Sequence, residues 1–460
     1  MLDLAIKNGT LVVPGAGLVK GNIGVHSGKI VAVTADAVNL SAREEIDASG
    51  QHVFPGVIEP HSHIGIGAGE ADLLTETRAA VVGGVTTSLF FLREPEPYDA
   101  VFESVRKAAE TLCLTDFGFH IVLLTDEHLN AIPKYVREWG INSYKLYMTY
   151  RDGASTTGFG GRPFKCPELT DGFMFEALRR LARYPDAVAI AHCENIEIIN
   201  RLTARLKAEN RDDMEAWRES RPPFAEAEAV RRMAFLARHA GARLNILHLT
   251  SAAALEAARE AKKASDRVTV EVCHPYLAVD AASAPGVEAK LRPPIRERED
   301  VEALWKGVSD GSIDSIGSDH VPRKLEAKRG SVWKPAAGGP GSPFLLQVML
   351  TEGHFRRGIS LQRIAEITSY NTARLYGLYP RKGDIRPGAD ADLVVVDLNK
   401  EATLTVEGTD MFSDYILYEG RRVRGVPTVT LVRGKVVMRD GRAIEGSLRA
   451  EYLYRVGSGT

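Results

Sequence analysis

Two kinds of hydrophobic pattern divide the chain. At both ends, short apolar runs are broken by tight turns; in the middle, apolar runs alternate with long amphipathic stretches. Near the start, LAIKNGTLVV sets Asn8-Gly9 between two apolar runs, which predicts a hairpin because both residues tolerate positive φ. NIGVHSGKIVAV repeats the pattern with its turn at Ser27-Gly28. Toward the far end, ADLVVVDL is followed by TVTLVRGKVVMRDGRAI, with turns at Arg433-Gly434 and Asp440-Gly441. Such runs predict a small β-sandwich built from both termini, residues 1–53 and 380–460, the latter including a C-terminal tail.

Between them, over 54–379, β-branched apolar runs begin near Val57, Val85, Phe117, Ser143, Ala187, Arg243, Val268 and Ile313. Helical spacing fills the gaps, as in YDAVFESVRKAAETL, DGFMFEALRRLARY and AAALEAAREAKKA. Strands that are apolar on both faces and alternate with helices predict an α/β fold with a closed (β/α)8 barrel of TIM type. A doubly wound open sheet is the structural alternative. It calls for a glycine-rich nucleotide loop after the first strand, and HIGIGAGE lacks the GxGxxG spacing.

Composition narrows the function classes. With 460 residues, 44% hydrophobic and 26% charged, the chain can fill a large core. A net charge of −2 offers no basic face for phosphate backbones, so nucleic acid is not an expected partner. No apolar run reaches the roughly 18–20 residues of a membrane span. Asp3 breaks the opening MLDLAIKNGT, which does not read as a signal peptide. Cys113, Cys166, Cys193 and Cys273 lie far apart with no CxxC pair, as expected of reduced thiols in a cytoplasmic protein.

Polar residues interrupt the apolar strands repeatedly at the end where a parallel barrel places its active site. The first strand, VIEPHSHIG, finishes with His61 and His63, two apart and so on one face. NSYKLYMTY carries Lys145, AIAHCEN ends with His192, NILHLTS with His248, and SIGSDH with Asp319 and His320. A single histidine in an apolar strand is ordinarily a hydrogen-bonded core residue. Four histidines, a lysine and an aspartate at one end of the strands are a different matter, since unpaired buried polar groups are costly. These residue types suit zinc or a similar divalent ion. Two ions need a bridging anion, and the strands offer few carboxylates. Desolvated Lys145 could supply it, because a neutral amine adds carbon dioxide to form a carbamate.

The chain resembles the amidohydrolase superfamily, and within it the cyclic amidohydrolases: hydantoinases, dihydropyrimidinases, allantoinases and dihydroorotases. The resemblance rests on FPGVIEPHSHIG, SYKLYMTY, AHCEN, NILHLTSA, IGSDHVP, SYNTARLYGLYPRKGDIRPGADADLVVVD and GRRVRGVPTVTLVRGKVV, in that order along nearly the whole chain. It is strongest to the hydantoinase and dihydropyrimidinase branch. It implies that His61, His63 and Asp319 bind one metal, that His192 and His248 bind a second, and that Lys145, as N6-carboxylysine, bridges both. It also implies that Tyr150 contacts the substrate and polarises its carbonyl. Strict alternation from Lys145 would put Tyr150 on the opposite face, so it is expected beyond the strand end. The implied reaction is hydrolysis of a cyclic amide by a metal-bridging hydroxide, with Asp319 as base and then acid. Zinc is the expected ion, with manganese, cobalt and iron as alternatives, and a homotetramer or dimer is the expected assembly.

Departures gather around the substrate. Relatives have serine before the Pro-Pro of KLRPPIR, where this chain has Arg292, and asparagine where it has Ala337. Glu59 stands where many have aspartate, and Cys273-His274-Pro275 differs from the usual order. Dihydroorotases carry an arginine where this chain has Gly65. Arg292 is thus a candidate for binding a carboxylate or second carbonyl, against the alternative of a surface arginine paired with a glutamate. Two other functions stand beside the main reading: an allantoinase or cyclic-imide hydrolase, and a non-catalytic amidohydrolase-like scaffold, which retention of all six ligand positions disfavours.

Overall fold

The structure, a computed structural model, describes residues 1–151, 155–334 and 336–455; the last five residues of the C-terminal tail lie outside them. Eight parallel strands form one sheet in chain order: Val57–Ser62, Val85–Leu92, Asp116–Val122, Ser143–Tyr147, Val188–His192, Arg243–Ile246, Val268–Cys273 and Ser315–Gly317. The sheet closes on itself. Ser62 pairs in parallel with His320, the His63 N–H donates to the His320 carbonyl at 2.7 Å, and the His320 N–H donates to that of His61 at 3.0 Å. Helices over Phe102–Leu112, Asp171–Leu181 and Ala252–Ala264 lie where the amphipathic spacing predicts them. Thr170 and Ser251 start the second and third by accepting the N–H groups of Phe173 and Ala254. The last barrel strand starts two residues after Ile313, whose N–H instead closes the preceding helix on Gly307.

Both termini meet in a second, nine-stranded sheet folded over an apolar core that includes Ile6, Ile23, Val53, Leu393 and Leu431. The expected hairpin at Asn8-Gly9 does not form. Leu2–Val13 is one continuous strand with a bulge between Ile6 and Gly9, and its turn comes later, ahead of Gly17–His26. Packing explains this: a Cβ on Gly9 would lie 2.9 Å from Val53 Cγ2, so the glycine serves close approach to the core rather than a turn. The turns at Ser27-Gly28, Arg433-Gly434 and Asp440-Gly441 do join antiparallel strands.

A buried ionic seam joins the two sheets at the N-terminal end of the barrel. Lys382 Nζ lies 2.6 Å from Asp116, 2.7 Å from Asp392 and 3.0 Å from Asp390. Arg433 adds contacts to Asp116 at 3.0 Å and Glu451 at 2.7 Å. The tail then returns to the barrel, where Tyr452 pairs with Phe117 and buried Arg455 donates to Ser143 Oγ at 2.8 Å. All four cysteines are buried and unpaired.

Candidate metal centre

His61, His63, Lys145, His192, His248 and Asp319 all line one cavity of about 260 Å3 at the C-terminal mouth of the barrel. The ligand atoms of His61, His63 and Asp319 lie within 4.8 Å of one another. Asp319 Oδ1 is 3.1 Å from His61 Nε2 and 3.2 Å from His63 Nε2. Across the cavity, the rings of His192 and His248 meet edge to face with centroids 4.5 Å apart, and His248 is 5.4 Å from His61. His248 and Asp319 both hold positive φ, 35° and 51°, a strained backbone that turns each side chain inward just past its strand.

Outer groups orient these side chains. Glu271, on the seventh strand, accepts from His61 Nδ1 at 2.7 Å and so turns Nε2 toward the cavity. Glu194 accepts from His192 Nε2 at 2.7 Å, leaving Nδ1 free. Glu59 accepts from the His61 and Ser318 N–H groups at 2.9 and 3.1 Å, tying the first strand to the last. His320 faces away, donating to Glu76 at 2.9 Å and accepting from the Gly341 N–H at 3.1 Å. His274 is likewise structural, between the Tyr418 hydroxyl and the Gly341 carbonyl.

The donor set fits divalent cations. His61 Nε2, Lys145 Nζ and His248 Nδ1 are buried without a hydrogen-bond partner among the described residues. Buried polar groups are rarely left so in a finished protein interior. Desolvation lowers the Lys145 ammonium to about 8, against the weaker pull of Asp319 and Glu271. Among the described residues its cation contacts are aromatic faces, with Tyr147 at 4.7 Å and Phe91 at 5.1 Å. Desolvation also drops His63 to about 3 and holds His192 and His248 well below the usual imidazole range. His61 goes the other way, to about 9, because Asp319 and Glu271 together outweigh its burial. That proton occupies a nitrogen a cation would take.

Tyr150 lies past the end of the fourth strand, as its spacing from Lys145 requires, and its ring stacks on Tyr147 at 4.4 Å. Its hydroxyl accepts from Arg93 Nη1 at 3.0 Å. Arg292 and Ala337 line the same cavity, and Arg292 forms no ion pair with a glutamate among the described residues. Sequence reasoning missed Glu271 and Arg93. Glu271 had a legible signal, a lone acid in the apolar run VTVEVC; Arg93, just beyond the second strand, had none.

The chain matches the amidohydrolase family over residues 52–437. It is 32% identical to the D-hydantoinase of Geobacillus stearothermophilus, with 99% of this chain and 97% of that protein covered. It is also 32% identical to the L-hydantoinase of Paenarthrobacter aurescens, with 96% of each covered. The crystal structure of dihydropyrimidinase from Brevibacillus agri NCHU1002 superposes with a TM-score of 0.90 at 30% identity, covering 100% of both chains. With a closed barrel, a clustered donor set and full-length relatives in agreement, the chain belongs to the amidohydrolase family.

Proposed function

We propose that this protein hydrolyses a cyclic amide ring of hydantoin or dihydropyrimidine type, using two divalent cations held by His61, His63, Lys145, His192, His248 and Asp319. One observation carries the reading. These six side chains come from five separate strand ends and line a single cavity in which three buried nitrogens have no other partner. His61, His63 and Asp319 form one ligand group, and His192 and His248 form the other. Lys145, whose ammonium desolvation brings down to about 8, gives up its proton more readily than an ordinary lysine. The free amine would then add carbon dioxide, releasing a second proton, and as N6-carboxylysine would supply an anion shared by the two groups. When bound, the cations supply Lewis-acid activation of water and of the ring carbonyl. Asp319 takes the proton of the attacking water and returns it to the departing ring nitrogen. Because Arg93 donates to the Tyr150 hydroxyl, that hydroxyl can turn its own proton from Thr156 Oγ1, 3.3 Å away, to the carbonyl oxygen as charge develops there.

Zinc is the proposed ion; imidazole and carboxylate donors also suit manganese, cobalt or iron. The same reading takes residues 54–379 as the catalytic barrel and 1–53 with 380–460 as the supporting domain. It includes assembly into a homotetramer or dimer and a cytoplasmic location. Among the described residues no helix is long and apolar enough to cross a membrane. The test is a panel of hydantoin, dihydrouracil, allantoin, dihydroorotate and succinimide, assayed after loading with zinc and bicarbonate. Ring opening that a chelator abolishes and metal restores is expected. Protein carrying two metals per chain that opens none of these rings would refute the reading.

A further inference from the structure

The cavity wall beyond the six clustered side chains is cationic. Arg93, Arg292 and Arg323 all line it, and Asp319 is the only acid among the described lining residues. Arg93 is satisfied, since it donates to the Tyr150 hydroxyl at 3.0 Å and through Nε to the Thr157 carbonyl at 2.8 Å. Arg292 and Arg323 are not. Each has a buried Nε without a partner, and neither guanidinium hydrogen-bonds to a described residue or forms a close ion pair with one. The buried Glu194 carboxylate feels the Arg292 charge, but shares it with Arg221 and Arg296. Arg292 lies 5.8 Å from the Trp217 ring, which also carries Arg221 at 3.5 Å and Lys290 at 4.9 Å. An indole face attracts cations but carries no charge of its own, and the Glu194 carboxylate is divided between Arg221, Arg292 and Arg296. The neighbouring wall, Ala336, Ala337 and Gly338, is small and leaves room beside the guanidiniums.

Unpaired guanidiniums in a cleft are expensive unless something pairs with them, and their planar forks match a carboxylate. We infer that the ring this enzyme opens carries a carboxylate substituent, which Arg292 and Arg323 bind. The inference takes the ring from the proposed function above and adds the acid. It accounts for a charged residue at Arg292 and a small one at Ala337, the two positions where polar anchors for an uncharged ring are absent.

Two isosteric pairs test it on the metal-loaded protein. Uracil-6-carboxylate and uracil-6-carboxamide, rings that resist opening, measure binding by calorimetry; hydantoin-5-acetate and hydantoin-5-acetamide measure turnover. The acid of the uracil pair should bind on the order of 30-fold or more tightly than the amide. Arg292→Gln and Arg323→Gln should each remove most of that preference. Neither variant should melt below the parent, because neither guanidinium has a hydrogen-bonded partner to lose. Acid and amide binding within about threefold of each other, or a preference untouched by both variants, would overturn the carboxylate site. Turnover reads the other claim separately. Selective acid binding without opening of either hydantoin would uphold the carboxylate site and count against cyclic-amide hydrolysis.

Discussion

Lys145 and Lys382 are both fully buried, at opposite ends of one barrel, and they are treated in opposite ways. Lys382 touches three carboxylates within 3.0 Å, and they hold its ammonium above the usual lysine range despite its burial. Lys145 has no polar partner among the described residues and is lowered to about 8 by desolvation. The first arrangement is complete in the protein alone, and so it reads as a structural tie between barrel and terminal sheet. The second is incomplete. A strained backbone at His248 and Asp319 and two further unpartnered nitrogens, His61 Nε2 and His248 Nδ1, mark it as a site finished by something bound. Burial alone does not separate a structural charge from a functional one; the partner count does.

The sharpest way to break this contrast is to remove each lysine. Lys145→Ala should lower kcat/KM by about 1,000-fold or more and reduce bound metal. In chelator it should melt no lower than the chelated parent, because an unpaired buried amine has gone. A large loss of stability there would make Lys145 structural. Lys382→Met should cost about 3–5 kcal/mol in denaturant unfolding, since buried Asp392 loses its one cation among the described residues and Asp116 and Asp390 each lose one of theirs. Activity per folded molecule should stay at the parent level, as the seam lies at the far end of the strands. Tyr150→Phe should lower kcat by about 100-fold with metal content unchanged. Equal loss of metal and rate would instead assign Tyr150 to the ligand shell.

The seam also predicts a pH dependence. Burial would raise the Asp390 carboxyl, but Lys382, Lys29 and Arg381 together bring it down to about 2. A depressed carboxyl stabilises the fold above its unfolded value of 3.8 and loses that contribution as pH falls through about 2. Asp390 should therefore contribute about 2 kcal/mol at neutral pH, and Asp390→Asn should flatten the fall of stability over that acid window. An unchanged slope would show that the seam is weaker than its distances suggest.

Much of this was legible from residue order. The eight apolar runs lead to the eight barrel strands within about two residues, because strands buried on both faces have few other places to go. The six candidate ligands were legible for the same reason, as polar residues that end apolar strands. Asn8-Gly9 misled, since a hairpin dipeptide and a glycine required by Val53 packing look alike in one dimension. The groups that orient the ligands were harder to see. Glu271 matters only because the register places it against His61, and the pairing of Arg93 with Tyr150 joins two loops 57 residues apart. The unpaired state of Arg292 and Arg323 is a property of the assembled cavity alone.

The most direct test of the central claim is anomalous diffraction at the zinc edge from crystals of the zinc- and bicarbonate-loaded protein. The account predicts two peaks, one among His61, His63 and Asp319 and one beside His192 and His248, with continuous density from Lys145 Nζ between them. A bare Lys145 amine and no anomalous signal among those imidazoles would contradict it.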